Sequence, residues 1–280
     1  MRVLVTGGSG RVGTWVVAEL LEAGHAVAVF DQKPPASPDV EFRNGTILSL
    51  DECRLACRGM NAVIHLAAIP SPLHDPPERV LHFNTNSAWN IHQAAVDAGV
   101  PRVVHASSDA TYGYVFREQD IPVDYLPIDE DYPQRPHDPY GTSKVIGEQI
   151  AKKFSEEHDL QTVALRICWV WMPDQPETYR TFTEDPEAWS KSLWVYNDAR
   201  DVAQAFRLAV DAPNMRCERF CISAADNGTD VDTMELVTKH YGEVKVRKPI
   251  EGRGSAIDYS RATEKLGYKP QHSWRDWVRG

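Results

Sequence analysis

The chain has 280 residues, of which 42% are hydrophobic and 25% are charged, and its formal net charge is −10. This composition predicts a soluble globular protein with a sizeable core. The negative charge argues against nucleic acid as a partner, because proteins that follow a phosphate backbone normally present a basic surface. An apolar strand pattern begins at residue 2, and no apolar run is long enough to cross a bilayer. We therefore expect no signal peptide, no membrane span and a cytoplasmic location.

Short β-branched runs alternate with longer amphipathic stretches, as strands alternate with helices in α/β proteins. The predicted strands are residues 2–6, 26–31, 62–67, 102–107, 162–167 and 220–223. The predicted helices are residues 12–23, 50–57, 80–98, 140–157, 198–212, 231–240 and 261–267. Such alternation predicts an α/β fold with a doubly wound parallel sheet, the Rossmann fold, which carries helices on both faces.

Two segments interrupt this alternation. Residues 116–139 form a long loop rich in proline and aspartate, and a loop of this length inside a compact domain is usually functional. Residues 172–193 form the second interruption, with Trp189 near its end. The segments after these interruptions predict a small discontinuous lobe that packs beside the sheet.

A glycine-rich loop follows the first predicted strand and opens the first predicted helix, with Gly7, Gly10 and Gly13 in the spacing of a dinucleotide-binding loop. The first glycine permits a tight turn, the second lets the backbone approach a pyrophosphate, and the third lets helix and strand pack closely. We therefore predict an NAD-binding Rossmann domain at residues 1–166, continued by about 194–212. Residues 167–193 and 213–280 are predicted to form the small substrate-binding lobe.

Asp31 ends the second predicted strand, where an acidic side chain takes the ribose hydroxyls of NAD. A carboxylate there repels a 2′-phosphate, so NAD is favoured over NADP as the cofactor. Lys33 lies close in sequence and could soften this discrimination.

Five cysteines are few and odd in number, and their spacing lacks the paired knuckles or histidine partners of a zinc site. We expect reduced thiols, mostly buried, and no metal. The cysteines are Cys53, Cys57, Cys168, Cys217 and Cys221.

Tyr140 and Lys144 stand four residues apart in a predicted helix and so share one face. An ammonium beside a phenol favours the phenolate, so the pKa of Tyr140 is expected to fall. A phenol tuned in this way can exchange a proton with an alcohol or a carbonyl.

The glycine loop and the Tyr-Lys pair together resemble the extended short-chain dehydrogenase/reductase family, also called the NAD-dependent epimerase/dehydratase family. Further motifs of that family follow in the expected order through most of the chain. They are the HLAA segment at 65–68, Asn84, the SSDATYG segment at 107–113, the YNDARDVA segment at 196–203 and the KLGYKP segment at 265–270.

This resemblance implies a catalytic set of Ser108, Tyr140 and Lys144. Tyr140 would be the general acid/base, Lys144 would lower its pKa and hold the nicotinamide ribose, and Ser108 would hydrogen-bond the reacting oxygen of the substrate. Asn84 would support the cofactor or a proton relay. The residues expected to bind the cofactor are Gly7, Gly10, Arg11, Val12, Gly13, Asp31, Ile47, Leu66, Ala67, Ala68, Asn84, Ser107, Tyr140, Lys144 and Ile167.

The chain departs from the family pattern in three places. Thr46 replaces the aspartate that often precedes the adenine-contacting position, here Ile47, and Trp169 replaces an asparagine that often faces the substrate. The segment after Trp169 is also short, with little material to grip a nucleotide diphosphate. In this compactness the chain is similar to uronate dehydrogenase.

Several side chains are candidates for substrate contact besides Ser108. An aromatic wall could form from tryptophans, although indoles also fill lobe interfaces by packing alone. A histidine in a proline-rich loop is more often an exposed loop residue than a catalyst. The candidates are Asp109, Tyr112, His74, Trp169 and Trp171.

The favoured function is an NAD-dependent dehydrogenase that transfers a hydride between a carbinol of a small hydroxylated substrate, a sugar or sugar acid, and nicotinamide. An NAD-dependent sugar or sugar-nucleotide epimerase would use the same residues. A dehydratase is less favoured, since Asp109 and Ala110 supply a single carboxylate where a pair is needed. A non-catalytic NAD(P)-sensing protein is the remote alternative. By resemblance, the helices that carry Asn84 and Tyr140 would pair across a homodimer.

Overall fold

The computed structural model describes residues 1–278, and the bounds below refer to this part of the chain. The strands are β1 (Arg2–Thr6), β2 (Ala26–Asp31), β3 (Glu41–Asn44), β4 (Ala62–His65), β5 (Arg102–Ser108), β6 (Gln161–Ile167), β7 (Val170–Trp171), β8 (Asn197–Asp198) and β9 (Glu218–Ile222). The α-helices are α1 (Arg11–Glu22), α2 (Leu50–Cys57), α3 (Pro77–Asp97), α4 (Pro139–Glu157), α5 (Glu177–Glu184), α6 (Ala199–Asp211), α7 (Thr233–Tyr241) and α8 (Ser260–Leu266).

Seven strands form one parallel sheet in the order β3-β2-β1-β4-β5-β6-β9. The chain runs outward from β1 to β3 and then returns to the other side of β1 with β4. This reversal of strand order is the topological switch point of a Rossmann sheet. The predicted fold class is confirmed.

The sheet separates two apolar cores because its side chains alternate between the faces. Val3 and Val5 of β1 pack with α1 and α6 on one face, whereas Leu4 packs with α2, α3 and α4 on the other. Both strand faces are therefore apolar, as a sheet covered by helices on both sides requires.

Local signals at the start of α4 hold the helix that carries Tyr140. Asp138 caps the helix, and its Oδ1 accepts the Gly141 amide proton at 2.8 Å. Pro139 follows in the first turn, where its missing N–H costs no hydrogen bond. Such a cap stabilises a helix by about 1 kcal/mol and fixes where Tyr140 enters the structure.

A third core lies outside the Rossmann sheet and contains buried aromatic side chains from 112–132, 168–196 and the C-terminal part of the chain. The short strands β7 and β8 pair in parallel beside it. The strand β9 lies in the large sheet, as the neighbour of β6, although the sequence pattern assigns residues 213–280 to the smaller lobe. The division into two lobes remains a prediction, and the separate third core supports it.

Among the elements that were not predicted are β3 and α5. The strand β3 is a mostly exposed edge strand of polar sequence, and α5 lies inside the segment 172–193. The long loop at 116–139 runs back along the C-terminal segment, where Leu126 N donates to Lys245 O at 2.9 Å and Ile128 N donates to Ala256 O at 2.8 Å. None of the helices in residues 1–278 is long and apolar enough to span a membrane.

Candidate active site

The switch-point crevice lies at the carboxyl ends of β1 and β4, where open α/β sheets bind their ligands. Gly7 follows β1 with a φ of +71°, a conformation that favours glycine. A Cβ on Gly7 would lie 2.7 Å from the backbone nitrogen of Ala67, and a Cβ on Gly13 would lie 2.3 Å from the Gly7 carbonyl oxygen. A side chain at either position would therefore collide with the backbone that forms the cradle.

The N-terminus of α1 directly follows this cradle. Gly10 is the N-cap and contributes no side-chain hydrogen bond. The first-turn amides and the positive end of the helix dipole thus remain available to an anion. These residues fit the pyrophosphate of a dinucleotide. Val12, in the same turn, is half-buried and packs against the core on the α1 face.

Arg11 links the glycine loop to the smaller lobe. Its guanidinium donates to Gln175 Oε1 at 3.1 Å and to the Tyr179 hydroxyl at 3.4 Å. The Tyr179 hydroxyl in turn accepts the Met172 amide proton at 2.9 Å. The cofactor contact of Arg11 stays a prediction. Its contact to Tyr179 of α5 was not suggested by the sequence.

Asp31 lies at the end of β2, next to the glycine loop. Its Oδ2 accepts the Ser9 amide proton and its Oδ1 accepts the Lys33 amide proton, both at 3.2 Å. The side chain remains half-exposed. The carboxylate therefore lies where it can accept hydrogen bonds from an adenosine ribose. Lys33 contacts this carboxylate through its backbone amide.

The predicted adenine end of the crevice contains Ile47, which is buried. Its carbonyl oxygen accepts a proton from Asn90 Nδ2 at 3.0 Å, which ties this loop to α3. Across the crevice, Leu66, Ala67 and Ala68 follow β4 and are half-buried. The Ala67 amide donates to Thr6 Oγ1 at 3.4 Å.

Ser108, Tyr140 and Lys144 lie together, although they come from β5 and α4. Ser108 lies close enough to the Tyr140 phenol to lower its pKa. The Lys144 ammonium lies 5.3 Å from the centroid of the Tyr140 ring and donates to the Ala106 carbonyl oxygen at 2.9 Å. Ile167, the half-buried last residue of β6, pairs in register with Ser108.

The expected fall in the pKa of Tyr140 is not found in the protein without cofactor. Burial raises the pKa of Tyr140, the Ser108 hydrogen bond opposes this rise, and the charges of Asp109 and Asp138 add to it. Burial also lowers the pKa of Lys144 to about 8. In the protein without cofactor, the effect of burial on the pKa of Tyr140 therefore outweighs the attraction between the Lys144 ammonium and the phenolate. Lys144 instead donates to the Ala106 carbonyl oxygen.

Asn84 is buried on α3, and its side chain joins three segments. Its Oδ1 accepts the Ile69 amide proton at 2.8 Å, and its Nδ2 donates to the Ile69 carbonyl at 3.1 Å and to Ser143 Oγ at 3.0 Å. Ser143 in turn donates to the Tyr140 carbonyl oxygen at 2.6 Å. Asn84 thus positions both the loop after β4 and the first turn of α4.

Ser107 is buried, and its hydroxyl donates to Glu148 Oε1 at 2.6 Å. Glu148 also binds Arg166, whose Nε and Nη2 reach its two oxygens at 2.9 and 2.8 Å. Burial raises the pKa of Glu148, but the hydrogen bonds and charge of Arg166 bring it below its ordinary value. The Ser107 hydroxyl is therefore engaged in this buried network, and its cofactor contact stays a prediction. Sequence reasoning missed Glu148.

Tyr112 belongs to the core beneath the site. It is 2% exposed, and its hydroxyl contacts Cys221 Sγ at 2.9 Å and donates to the Asp129 carbonyl oxygen at 3.2 Å. The Arg166 guanidinium lies 5.3 Å from the Tyr112 ring centroid. Its predicted substrate contact finds no open surface, because the ring is enclosed on all sides.

Of the tryptophans Trp169, Trp171 and Trp194, the first is exposed and the other two are buried. Trp169 is 38% exposed, and its ring meets Phe182 edge-on at 4.8 Å. Trp171 is fully buried and stacks on Tyr179 at 4.8 Å, while buried Trp194 donates to the Pro186 carbonyl oxygen at 2.7 Å. Trp171 therefore supports the aromatic cluster by packing, and Trp169 is its accessible face.

The other predicted substrate residues occupy different surroundings. Asp109 is buried beside Ser108, and His74 is exposed in the loop between β4 and α3. Phe116 was not predicted, yet its half-buried ring lies perpendicular to Tyr140 at 6.1 Å. Among residues 1–278, no cluster of three histidine, cysteine or acidic side chains could hold a metal ion.

Residues 3–185 match the model of the NAD dependent epimerase/dehydratase family. L-Arabinose 1-dehydrogenase (NAD(P)(+)) of Haloferax volcanii is 30% identical over 75% of this chain and 83% of its own. The solved UDP-glucose 4-epimerase of Thermotoga maritima, which holds UDP-glucose, is 25% identical, with a TM-score of 0.75 over 100% of this chain and 96% of its own.

A solved mutated uronate dehydrogenase is 22% identical and shares the fold, with a TM-score of 0.70 over 99% of this chain and 84% of its own. The range of the family match includes the glycine loop, Ser108, Tyr140 and Lys144. The chain therefore belongs to the NAD dependent epimerase/dehydratase family and is an NAD(P)-dependent enzyme of the short-chain dehydrogenase and epimerase type.

Proposed function

We propose that this protein is an NAD-dependent oxidoreductase that transfers a hydride between a carbinol carbon of a small sugar or sugar acid and the nicotinamide. The observation that carries the proposal is the meeting of Ser108, Tyr140 and Lys144 beside the glycine cradle. When bound, NAD supplies the hydride acceptor, and the protein supplies the proton transfer.

Tyr140 is proposed to take the proton of the substrate hydroxyl as its carbon is oxidised. Ser108 would hold the same oxygen, since it already acts on the Tyr140 phenol by lowering its pKa. Lys144 holds the nicotinamide ribose and favours the phenolate once it turns from the Ala106 carbonyl. A positive charge near the phenol lowers the pKa of Tyr140, which counters the effect of burial.

The cofactor is proposed to bind along the crevice from the cradle to Ile47. Gly7, Gly10 and Gly13 would meet the pyrophosphate, and Asp31 would accept the ribose hydroxyls. The remaining contacts are proposed for Arg11, Val12, Leu66, Ala67, Ala68, Asn84, Ser107 and Ile167.

A sugar or sugar acid is the proposed substrate because the named relatives act on sugars and because Trp169 offers an accessible aromatic face. L-Arabinose 1-dehydrogenase supports a free sugar, and UDP-glucose 4-epimerase supports a nucleotide sugar. Indole rings present a large apolar surface with a polar edge, which suits a ligand with both characters.

An NAD-dependent epimerase is the second candidate, and the Thermotoga maritima epimerase favours it. That enzyme matches the whole of this chain over 96% of its own length and holds UDP-glucose. The short segment at 172–193 therefore does not argue against a nucleotide sugar as strongly as its length suggests.

The test is the absorbance of NADH when the purified protein meets NAD and a panel of aldoses, uronates and polyols, followed by UDP-sugars. A dehydrogenase forms NADH in proportion to product. An epimerase forms no net NADH, retains its cofactor through purification and interconverts UDP-sugars. Tight NAD binding without either reaction over a broad panel would contradict the proposal.

We also propose that the protein is a homodimer that pairs through α3 and α4. The two helices pack against each other, and Trp89 on α3 remains 40% exposed, with the Lys153 ammonium 5.5 Å from its ring centroid. Half-buried Leu81 and Ile146 add apolar surface to α3 and α4.

Light scattering after size exclusion tests the proposed dimer. Trp89→Glu should yield monomers, while Leu55→Glu, at an exposed position of α2, should not. A wild-type monomer at micromolar concentration would contradict the dimer.

A cytoplasmic location is proposed as well, supported by five free cysteines in the described residues. Four of these thiols are buried, and Cys217 is exposed. Exposed thiols persist in a reducing compartment. Fractionation of cells that express the natural protein tests this, and recovery from an extracytoplasmic fraction would contradict it.

A further inference from the structure

Asp109 lies beside the proposed catalytic serine, and the mechanism above leaves it without a role. It begins the short 3-10 helix that follows β5, and its side chain is buried. Its Oδ1 accepts the Ser108 hydroxyl proton at 3.0 Å, and the Cys168 thiol, which directly follows β6, lowers the pKa of the same carboxyl. The groups that act on this carboxyl are hydroxyl, thiol and amide donors. A carboxylate held by such neutral donors loses hydration without gaining a counter-charge.

The hydrogen bonds of Ser108 are limited by its single proton and two lone pairs. The Ala110 amide donates to Ser108 Oγ at 3.1 Å and occupies one lone pair, while an ionised Asp109 takes the proton. One lone pair is then left for the side of Tyr140, so Ser108 is an acceptor there; it lowers the pKa of Tyr140 only when its proton is free to turn to the phenolate. A protonated Asp109 can itself donate to Ser108, which frees the Ser108 proton to turn toward the crevice.

We propose that Asp109 is a positioning residue that sets the direction of the Ser108 hydrogen bond, and so decides whether the site complements an alcohol or a carbonyl. An alcohol donates its hydroxyl proton and matches Ser108 as an acceptor, whereas a carbonyl oxygen only accepts and matches Ser108 as a donor. This inference rests on the proposed function, because it concerns the two redox forms of one substrate.

The protonation of Asp109 changes near neutral pH, unlike that of its immediate neighbours. Burial raises the pKa of Asp109 to about 6. The groups that face it are Ser108, Cys168 and Tyr140, and burial raises the pKa of both the thiol and the phenol, so they stay protonated. Asp138 faces Tyr140 from the α4 cap. The site therefore favours the carbonyl below about pH 6 and the alcohol above it.

Spectroscopy tests the coupling without reference to turnover. The charge of Asp109 raises the pKa of Tyr140, so Asp109→Asn should shift the phenolate absorbance of Tyr140, identified by difference from Tyr140→Phe, to lower pH. An infrared carboxyl band that titrates near pH 6 should be present in the wild type and absent from the variant. Asp131→Asn, at an exposed position, is the control and should change neither. An unchanged phenolate titration, or no buried carboxyl that titrates near pH 6, overturns the proposal.

Kinetics tests the preference between the two substrate forms. The ratio of KM for the alcohol to KM for the carbonyl should fall in the wild type as the pH rises through about 6. In Asp109→Asn, whose amide donates as the protonated acid does, this pH-dependent step in the ratio should disappear. Above about pH 6 the ratio should be up to about tenfold higher than in the wild type, the effect of one hydrogen bond between neutral groups. At a given pH, the substitution should change kcat/KM for oxidation and for reduction by the same factor, because the ratio of these two values is fixed by the equilibrium constant of the reaction.

Asp109→Ala provides a second variant, which should also lose the step. Thermal unfolding of both variants checks that they fold. A step that persists in both folded variants overturns the inference. If no substrate turns over, the proposed function fails, and the carboxyl and phenolate titrations still decide whether Asp109 controls Ser108 and Tyr140.

Discussion

Glu148 and Arg166 form a two-point ion pair between α4 and β6, in which both side chains are almost completely buried. Arg166 Nε and Nη2 each donate to one carboxylate oxygen, the fork geometry that makes such pairs strong and directional. Ser107 and Gln134 donate to the same carboxylate at 2.6 and 3.0 Å. Because Glu148 lies one helical turn after Lys144, the pair fixes the rotation of the helix that carries the proposed catalytic residues.

Replacement of Glu148 by Gln should destabilise the protein strongly. The change leaves a buried guanidinium without a counter-charge, which costs about 3–5 kcal/mol. The pKa of Glu148 lies below its ordinary value of 4.5. Its contribution is thus fully present above that value and is lost as the pH falls through the lower folded pKa.

Urea unfolding of Glu148→Gln at neutral and acidic pH measures this difference. Glu156→Gln is the control, since Glu156 pairs with Lys152 on the exposed side of the same helix and should cost less than about 1 kcal/mol. Equal losses in the two variants would contradict a structural role for the buried pair.

Replacement of Gly13 by Ala should abolish NAD binding. A Cβ there would lie 2.3 Å from the Gly7 carbonyl oxygen, so the cradle must open. Gly147→Ala is the matched control, because its Cβ would meet only the Ala88 Cβ at 3.9 Å and the exchange within a helix gains up to about 1 kcal/mol. Calorimetric titration with NAD, after thermal unfolding has shown that both variants fold, distinguishes them. Unchanged affinity in Gly13→Ala would show that the cofactor avoids this loop.

Much of the sheet could be predicted from the sequence because its signals are local. The bounds of β1, β2 and α2 agree with the predicted ranges, since period and capping residues mark them within a few positions. The strand β3 lacks such a signal, because it is polar and lies at an exposed edge. The assignment of β9 to the large sheet depends on pairing with β6, a contact between residues far apart in the chain.

The same distinction holds for the site. Ser108, Tyr140 and Lys144 could be named because each stands in a motif with fixed spacing. The pairing of Glu148 with Arg166 joins two separate elements and has no local signature. Burial, which raises the pKa of Tyr140, depends on the whole fold.

Replacement of Asp31 by Ser should weaken the preference for NAD over NADP. The carboxylate that would repel a 2′-phosphate is removed, while a hydroxyl remains to receive the Ser9 and Lys33 amides. The ratio of the two dissociation constants should shift by about tenfold, a modest effect for two charges near a protein surface. Fluorescence titration with each cofactor measures it, with Asp39→Ser, on the exposed surface, as the control. A ratio that stays at the wild-type value would place the ribose away from Asp31.

Replacement of Tyr140 by Phe should remove turnover while folding and NAD binding persist. The loss of a positioned general acid/base lowers kcat by about 10²–10⁴-fold. In the wild type, NAD⁺ should also lower the pKa of Tyr140, because a cation near a buried phenol favours the phenolate and opposes the rise caused by burial. The phenolate absorbance during a pH titration with and without NAD⁺ measures this, and Tyr259→Phe, at a half-buried tyrosine in the C-terminal part of the chain, is the control. Turnover that survives in Tyr140→Phe would move the proton transfer to another group.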